Sequence, residues 1–154
     1  MVLTGTFERA LDDKNRIAVP KTLREEFALS SSSSASAEEG TQQLYVTQGQ
    51  NKSLVLYAPA EFEALAQKLA ASSSHRAEVQ IFERLLFSRA EKIECDGQGR
   101  IRIPERLAEF AQLKRDVMLL GVRDHAELWD KGIWTEFEQR HSAAFDEMAQ
   151  AAFA

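Results

Sequence analysis

Two five-residue strings in the chain combine residue types that could bind an anion: DDKNR at 12–16 and DGQGR at 96–100. An aspartate that opens a turn can accept hydrogen bonds from backbone N–H groups two or three residues later. The fourth position holds Asn15 in one string and Gly99 in the other, and these residue types tolerate positive φ best. Each string therefore predicts a tight turn, opened by Asp12 or Asp96, that ends on an arginine where the next strand begins.

The two arginines, Arg16 and Arg100, have side chains suited to a polyanion. A guanidinium can make bidentate contacts with a phosphate or with O6 and N7 of guanine. The competing interpretation is that each arginine only pairs with the aspartate of its own turn, and an exposed pair contributes about 0–1 kcal/mol. The residue types alone leave both interpretations open. The binding interpretation gains support because the string occurs twice, in register, inside a repeat.

That repeat extends well beyond the two strings. Residues 12–29 and 96–113 match at an offset of 84 with seven of 18 positions identical, where typical residue frequencies give roughly one. The match resumes at an offset of 72, which aligns 45–47 with 117–119 and 56–57 with 128–129. The first copy therefore carries 12 extra residues. They form a Ser-rich insertion within 30–43, which predicts a solvated loop.

Alternating apolar residues on both sides of each string predict a β-hairpin. In the first copy Ile17 and Val19 share one face of the returning strand, which leaves Arg16 on the opposite face. In the second copy that opposite face holds Arg100 and Arg102. Residues two apart in a strand point to the same side, so Arg102 is an auxiliary candidate for binding.

Further elements follow each hairpin. A proline at 20 or 104 predicts the first residue of a helix, because its φ is already set. Two short strands come next, at 44–48 and 54–57, then at 117–120 and 126–129, so each module reads β-β-α-β-β. Helices are predicted at 59–71 and 76–87, and again after Asp130, a good N-cap residue. Their apolar stripes are expected to pack on the sheets or on a neighbouring subunit.

These elements predict a four-part organisation. The first module spans 5–60, a helical connector spans 61–88, the second module spans 89–133, and a C-terminal helix spans 134–154. Each copy is too small for a large core of its own. We therefore expect the two copies to pack on each other or on copies from other chains.

The composition excludes several classes of protein. The chain has 154 residues, 44% apolar and 28% charged, as is typical of a soluble globular protein. No window approaches 18 uncharged apolar residues, and the N-terminus does not resemble a signal peptide, so we expect a cytoplasmic protein without a membrane partner. The single cysteine, Cys95, excludes an internal disulfide and a CxxC zinc site.

The net charge of −5 argues against a nucleic-acid partner on whole-chain grounds. Phosphate contact requires only a local basic patch, however, so a basic face is compatible with an acidic chain. The acidic residues could lie elsewhere, as in the last helical region, which carries Glu136, Glu138, Asp146 and Glu147.

An enzyme is the least supported class. The sequence contains no P-loop, no G-x-S-x-G and no H-E-x-x-H. Its histidines, His75, His125 and His141, lack metal-ligand spacing and are interpreted as surface or helix-flank residues. Cys95 is interpreted as a small buried residue rather than a nucleophile. We expect no catalytic residue, metal, cofactor or small-molecule substrate.

Specific segments of the chain resemble the MraZ family. DDKNRIAVP and DGQGRIRIP carry the resemblance, each followed by a short helix. So do LVLYAPAEFEALAQKLA, RLLFSRAEKIECDGQGRIRIP and LLGVRDHAELWDKGIW. The resemblance covers nearly the whole chain apart from the Ser-rich insertion and the tail after about Gln139. It implies an α+β fold of tandem SpoVT/AbrB-like modules, in which interleaved β-hairpins are related by a pseudo-twofold axis.

The resemblance also implies a function. MraZ proteins are bacterial transcription regulators that assemble into rings and bind repeats in DNA upstream of the division and cell-wall gene cluster. Their DNA-contacting arginines map onto Arg16 and Arg100, and a neighbouring motif position maps onto Lys14 and Gln98. The expected partners are thus double-stranded DNA and further copies of the chain, with a location at the nucleoid. The chain departs from the family pattern at Asn15, where glycine is usual, and at the neutral Gln98.

A different class of function remains open from the sequence. The acidic balance and the apolar helical stripes would also suit an oligomeric scaffold, or a protein-interaction regulator resembling the AbrB-type antitoxins. Those antitoxins usually carry one hairpin module and a disordered tail that wraps the partner. This chain has two modules and a tail rich enough in aromatic residues to fold.

Overall fold

The chain folds into the same order of strands and helices twice. A computed structural model describes residues 1–30, 42–72 and 76–154. The elements of the first copy are β1 (Thr6–Ala10), β2 (Arg16–Ala18), α1 (Lys21–Ser30), β3 (Gln42–Gln48), β4 (Leu54–Tyr57), α2 (Pro59–Ser72) and α3 (Ala77–Ser88). Those of the second copy are β5 (Glu91–Cys95), β6 (Arg100–Arg102), α4 (Glu105–Phe110), β7 (Asp116–Val122), β8 (His125–Asp130), α5 (Lys131–His141), a 3₁₀ turn (Ser142–Ala144) and α6 (Phe145–Phe153). The predicted β-β-α-β-β order of each module is confirmed.

The two copies exchange strands. A six-stranded antiparallel sheet has the order β1-β7-β8-β4-β3-β5, and a separate two-stranded ribbon pairs β2 with β6. Strand β1 of the first copy pairs with β7 of the second, and β5 of the second copy pairs with β3 of the first. This arrangement is the predicted α+β fold of interleaved tandem modules, with a pseudo-twofold relation between the copies.

The expectation that β1 and β2 pair as a local hairpin is wrong. The chain does turn between them, with a hydrogen bond of 3.0 Å from the Asp12 N–H to the Arg16 carbonyl. Beyond that bond the strands separate, and each pairs with a strand of the other copy. Alternation of apolar residues reports which face of a strand is buried, but it carries no information about the strand's partner.

One apolar core spans both copies. Ile17 and Ile101 lie directly opposite each other in the ribbon, and both side chains are almost completely buried. The same core contains further repeat-related pairs, Val19 with Ile103 and Leu23 with Leu107, together with Leu44, Leu56, Val117, Leu119 and Leu128. A shared core satisfies the expectation that neither copy is large enough to stand alone.

The structure shifts the repeat alignment by one residue in β3. Leu44 pairs with Ile93, and Val117 pairs with Arg9, which is the repeat equivalent of Ile93. Leu44 therefore corresponds to Val117, and the offset in this strand is 73 rather than 72. The buried pattern of β3 matches that of β7 in the new register. The sequence alignment missed this because five residues separate the pair Gln48–Leu54, whereas four separate the equivalent pair Gly121–Ala126.

Several predicted boundaries also move. α1 and α4 begin at Lys21 and Glu105, so each proline lies one residue before its helix. β3 begins at Gln42, inside the predicted insertion, and residues 31–41 lie outside the described part of the chain. The predicted break at Ser72–Ser74 falls mostly outside it as well. The Asp130 cap is confirmed, because its carboxylate accepts a hydrogen bond of 3.2 Å from the Ile133 N–H.

The C-terminal region is two helices rather than the single predicted helix. α5 ends at His141, and the 3₁₀ turn separates it from α6. The Ser142 hydroxyl donates a hydrogen bond of 2.6 Å to the Glu138 carbonyl, a back-bond that bends helices. Among the described residues, no helix is both long and apolar enough to cross a membrane.

Candidate nucleic-acid interface

Each predicted turn is organised by its first aspartate. In the first turn, one carboxylate oxygen of Asp12 accepts hydrogen bonds from the backbone N–H groups of Lys14 and Arg16, at 2.9 and 2.8 Å. Its other oxygen accepts from Nε of Arg16 at 2.8 Å. The same atoms of Asp96 bind Gln98 and Arg100, with the Nε contact at 3.2 Å. The two turns are therefore built alike.

The carboxylates of both turns are held in their charged form. The Arg16 N–H holds the pKa of Asp12 below its ordinary value, and the Arg16 side chain adds to this effect. In the second turn the Arg100 N–H lowers the pKa of Asp96, assisted by the backbone N–H of Gln98. The turn geometry consequently persists at neutral pH.

The fourth residue of each turn has positive φ, as predicted: +59° at Asn15 and +78° at Gly99. Glycine leaves room for a side chain only in the second turn, where a Cβ at Gly99 would lie 2.9 Å from Cζ of Arg24 and would displace this guanidinium. Arg24 donates a hydrogen bond of 3.1 Å to the Val19 carbonyl. The repeat equivalent of Arg24 is Ala108, so the first turn has no corresponding guanidinium to accommodate. Asn15 can therefore replace the usual glycine.

The two turns are also tied to each other. The Val19 N–H donates to the Gly99 carbonyl, and the Ile103 N–H donates to the Asn15 carbonyl, both at 2.8 Å. These bonds are repeat equivalents of one another. They hold the left-handed residue of each turn against the strand that leaves the other turn, so the two arginine-bearing turns form one rigid unit.

The ribbon presents arginines on its solvent face. Arg16 lies directly opposite Arg102, and Arg100 lies opposite Ala18. Because Ile17 and Ile101 occupy the buried face, these four alternating positions share the opposite one. Directly opposed residues have Cβ atoms about 4.5–5.5 Å apart, and like charges in such pairs destabilise a sheet. A bound polyanion would relieve the repulsion between Arg16 and Arg102.

Both arginines of the turns keep hydrogen-bonding capacity. Each uses only Nε for its aspartate, and within the described residues neither Arg16 nor Arg100 uses a terminal Nη group in a hydrogen bond. Their side chains are about one-third exposed. The aspartate therefore orients the guanidinium while its outer edge remains available, so the pairing interpretation and the binding interpretation are compatible.

The remaining predicted residues lie at the first turn. Lys14 is exposed at its tip, and Lys14 and Arg102 both line an open groove of about 830 Å³ between this turn, β5 and α4. The structure thus brings Lys14, Arg16 and Arg102 together. Sequence reasoning missed Arg24, which supports the second turn. The sequence offered one indication of this role: Arg24 is basic, whereas the equivalent position in the second copy holds Ala108.

A separate polar cluster lies at the far end of β7 and β8. The two ring nitrogens of His125 lie 2.8 Å from an Asp124 carboxylate oxygen and 3.1 Å from a Glu127 oxygen. Trp129 donates to the other Glu127 oxygen at 2.9 Å. His125 is therefore neither a surface nor a helix-flank residue, as the sequence interpretation had it: its side chain is only 13% exposed. Within the described residues, no three His, Cys, Asp or Glu side chains are arranged so that they could hold a metal ion.

This cluster predicts a specific pH dependence of stability. Burial alone lowers the pKa of His125, but hydrogen bonds with Glu127 and Asp124 outweigh it and raise the pKa above its ordinary 6.5. Burial raises the pKa values of Glu127 and Asp124, and their bonds to His125 bring both below the ordinary range. The contribution of His125 to the free energy of unfolding is thus complete below pH 6.5 and is lost as the pH rises through the raised pKa of His125. The contributions of Asp124 and Glu127 to the free energy of unfolding are lost as the pH falls through the lowered pKa values of these carboxyl groups.

Thermal unfolding of His125→Gln across a pH series measures the effect. The wild-type Tm should exceed that of the variant most at about pH 5–6, and the difference should shrink towards about pH 9. A difference that stays constant over this range would contradict the ion-pair interpretation of the cluster.

The fold and the paired turns define a class of protein: two interleaved β-modules in one chain that present an arginine-bearing ribbon. The family described as "MraZ protein, putative antitoxin-like" matches the chain twice, over residues 2–85 and 86–154. The chain belongs to the MraZ family.

Relatives match over nearly the full length. A "Transcriptional regulator MraZ" of Corynebacterium diphtheriae is 36% identical over 141 residues, 92% of this chain and 90% of the relative. The protein of the same name in Corynebacterium urealyticum is 35% identical over 150 residues, 97% of this chain and 96% of the relative. That of Symbiobacterium thermophilum is 32% identical over 146 residues, covering 95% and 96%. The chain therefore belongs to a family of transcription regulators and not to an enzyme family.

Proposed function

We propose that the chain regulates transcription by binding DNA sequence-specifically, at repeats upstream of the division and cell-wall gene cluster. Arg16 and Arg100 are the principal DNA contacts, with Lys14 and Arg102 beside them. One observation carries the proposal: the interleaved turns present their arginines on a single solvent face, with Nε engaged and the outer guanidinium edge available. This activity belongs at the nucleoid, in the cytoplasm.

The recognition chemistry follows from the shape of the arginine side chain. Nε held by an aspartate fixes the plane of the guanidinium, and the two Nη groups can then bind O6 and N7 of guanine or two phosphate oxygens. Lys14 at the turn tip is a point charge suited to phosphate. Phosphate contacts position the protein, whereas base contacts select the sequence.

The negative net charge does not oppose this function. The acidic residues of α5 and α6, Glu136, Glu138, Asp146 and Glu147, are all exposed on helices that follow β8 and are not part of the ribbon. Salt screens charges more than about 8–10 Å away, so the potential at the ribbon depends on its own arginines and on the adjoining groove. In that groove Lys14, Arg102 and Arg106 lie with Asp13, Glu91, Glu94 and Glu105.

Ring assembly supports the same function. α6 touches the rest of its own chain mainly through the 3₁₀ turn, and its Phe145, Met148 and Phe153 side chains are exposed by 69%, 48% and 90%. An apolar cleft of about 720 Å³ between α2, α3 and α5 is lined by Leu65, Phe82, Leu85, Trp134 and Phe137. A helix of one copy that fills the cleft of the next makes a head-to-tail contact, and such contacts form a ring when the rotation between successive copies closes. A ring repeats the arginine face and multiplies weak DNA contacts.

Phe145→Glu combined with Phe153→Glu tests the assembly. Removal of the apolar side chains should reduce the mass in solution to that of one chain, 17.3 kDa, as measured by light scattering after gel filtration. Gln139→Glu with Gln150→Glu is the control, because it adds the same charge to α5 and α6 without removing an apolar group. A monomeric wild type, or a double phenylalanine variant that still assembles, would contradict the proposal.

Fluorescence anisotropy tests the DNA-binding function itself. The wild type is titrated into a duplex from upstream of its own gene and into a scrambled duplex of the same composition, at several salt concentrations. We expect tighter binding to the upstream duplex by about 10³-fold or more. Equal, steeply salt-dependent binding to both duplexes would mean a backbone binder without an operator.

A second candidate function is an antitoxin-like or scaffolding role. The exposed apolar faces of α3 and α6 favour it, since a protein partner could cover them. It requires that neither duplex binds and that a stoichiometric protein partner is recovered in a pull-down. The arginine ribbon has no part in that role.

A further inference from the structure

The connection between α4 and β7 lies beside the first turn. It is fixed at one end by a hydrogen bond of 3.0 Å from the Leu113 N–H to the Ala108 carbonyl. At the other end the Leu11 N–H donates to the Arg115 carbonyl at 2.7 Å. Leu11 immediately precedes Asp12, which opens the first turn. Lys114 and Arg115 are therefore held next to this turn by backbone contacts rather than by their own side chains.

The two side chains have no internal role in the described structure. Lys114 and Arg115 are both exposed, and with the residues that the structure describes their side chains make no ion pair or hydrogen bond. The carboxylates around them are Asp116 in the chain, Asp13 on the turn, and Asp130 and Glu136, which line a groove together with Lys114, Arg115 and Lys131; none of these carboxylates pairs with either side chain. Unpaired cations near Lys14 and Arg16 raise the local positive potential, so the site favours a polyanion.

The second module lacks this feature. Gln42 pairs with Cys95, the repeat equivalent of Leu11, so Gln42 is the counterpart of Arg115 at the second turn. The side chain of Gln42 is uncharged. A second charge difference of the same sign exists between the turn tips, where the first turn has Lys14 and the second has the neutral Gln98. The second turn has the basic Arg24 in exchange, but the first turn, where Arg102 also lies, carries more basic side chains.

We propose that Lys114 and Arg115 form an additional DNA contact, which binds backbone phosphates beside the first turn and makes that turn the stronger of the two anchors. The contact deepens the proposed function and rests on it. It is specific for phosphodiester charge rather than for base identity. Loss of the contact should weaken binding to the upstream and scrambled duplexes by similar factors.

The test compares two double variants with the same change in net charge. Lys114→Ala with Arg115→Ala removes the contact. Arg84→Ala with Arg123→Ala is the control, because Arg123 follows β7 where Arg115 precedes it, roughly 25 Å away, and Arg84 is exposed on α3, outside the ribbon and its turns. Affinity for both duplexes is measured against salt concentration, with Arg16→Ala plus Arg100→Ala in parallel.

Each released counterion contributes about 0.9 to the slope of log K against log salt. The Lys114/Arg115 variant should therefore lose about 1–2 units of slope, whereas the control should keep the wild-type slope. A wild-type slope in the Lys114/Arg115 variant, or an equal loss in the control, would overturn this inference. If the Arg16/Arg100 variant also binds as the wild type does, the proposed function fails as well, so the two failures are distinguishable.

Discussion

Arg16→Ala combined with Arg100→Ala is expected to abolish sequence-specific DNA binding while leaving the fold intact. Each bidentate arginine contact is worth about 1–3 kcal/mol, so the two together should weaken binding to the upstream duplex at least about 30-fold. In a ring the loss recurs in every subunit and is larger. The salt slope should also fall, because fewer phosphates are neutralised. Anisotropy titrations measure both quantities.

Two controls make this result specific. Exposed ion pairs contribute only about 0–1 kcal/mol, so removal of the Asp12–Arg16 and Asp96–Arg100 pairs should shift the unfolding midpoint little. Arg16→Lys with Arg100→Lys keeps the charges but removes the planar fork, and should retain scrambled-duplex binding while losing preference for the upstream duplex. Unchanged affinity in the alanine variant would show that the DNA contacts lie elsewhere.

Ile101→Ala is expected to destabilise the whole protein, by about 2–5 kcal/mol. Ile101 is fully buried opposite Ile17 in the ribbon, where a strand of one copy pairs with a strand of the other. Loss of its side chain leaves a cavity between the copies rather than within one of them. Urea unfolding should therefore show a single transition at lower urea, with neither copy surviving alone.

Neighbouring positions provide matched comparisons for this variant. Ile17→Ala should cost a similar free energy, because Ile17 is the repeat equivalent and is equally buried. Arg102→Ala, next to Ile101 on the exposed face, should change stability by no more than about 0.5 kcal/mol. Two separate transitions for Ile101→Ala would mean that the copies fold independently, which contradicts the interleaved arrangement.

The turns could be predicted from the sequence because their chemistry is local. Aspartate at the first position and asparagine or glycine at the fourth specify the hydrogen bonds and the positive φ over five residues. The buried face of β2 was predictable for the same reason, since Ile17 and Val19 alternate with polar or small neighbours. Cys95 is buried as expected, and burial raises the pKa of its thiol.

Features that depend on distant residues were not predictable in this way. The partner of β2 is β6, 84 residues along the chain, and no local pattern distinguishes it from β1. The contact between Arg24 and Gly99 and that between Leu11 and Arg115 both follow from this exchange. His125 likewise gains its role from Glu127 only because alternate residues of β8 share a face.

The claim that the turns lie against DNA is tested most directly by cleavage from a turn tip. Gln98→Cys introduces an exposed thiol at the second turn without removing a charge, and Cys95 is buried and unreactive by comparison. The control is Gln50→Cys, in the β3–β4 turn at the other end of the sheet. An iron chelate that cleaves nearby DNA is attached to each.

We expect strand cleavage of the upstream duplex from position 98, at sites that recur with the DNA repeats, and none above background from position 50. Cleavage from position 50 alone, or equal cleavage from both positions, would contradict this expectation, because DNA would then not lie against the arginine-bearing turns.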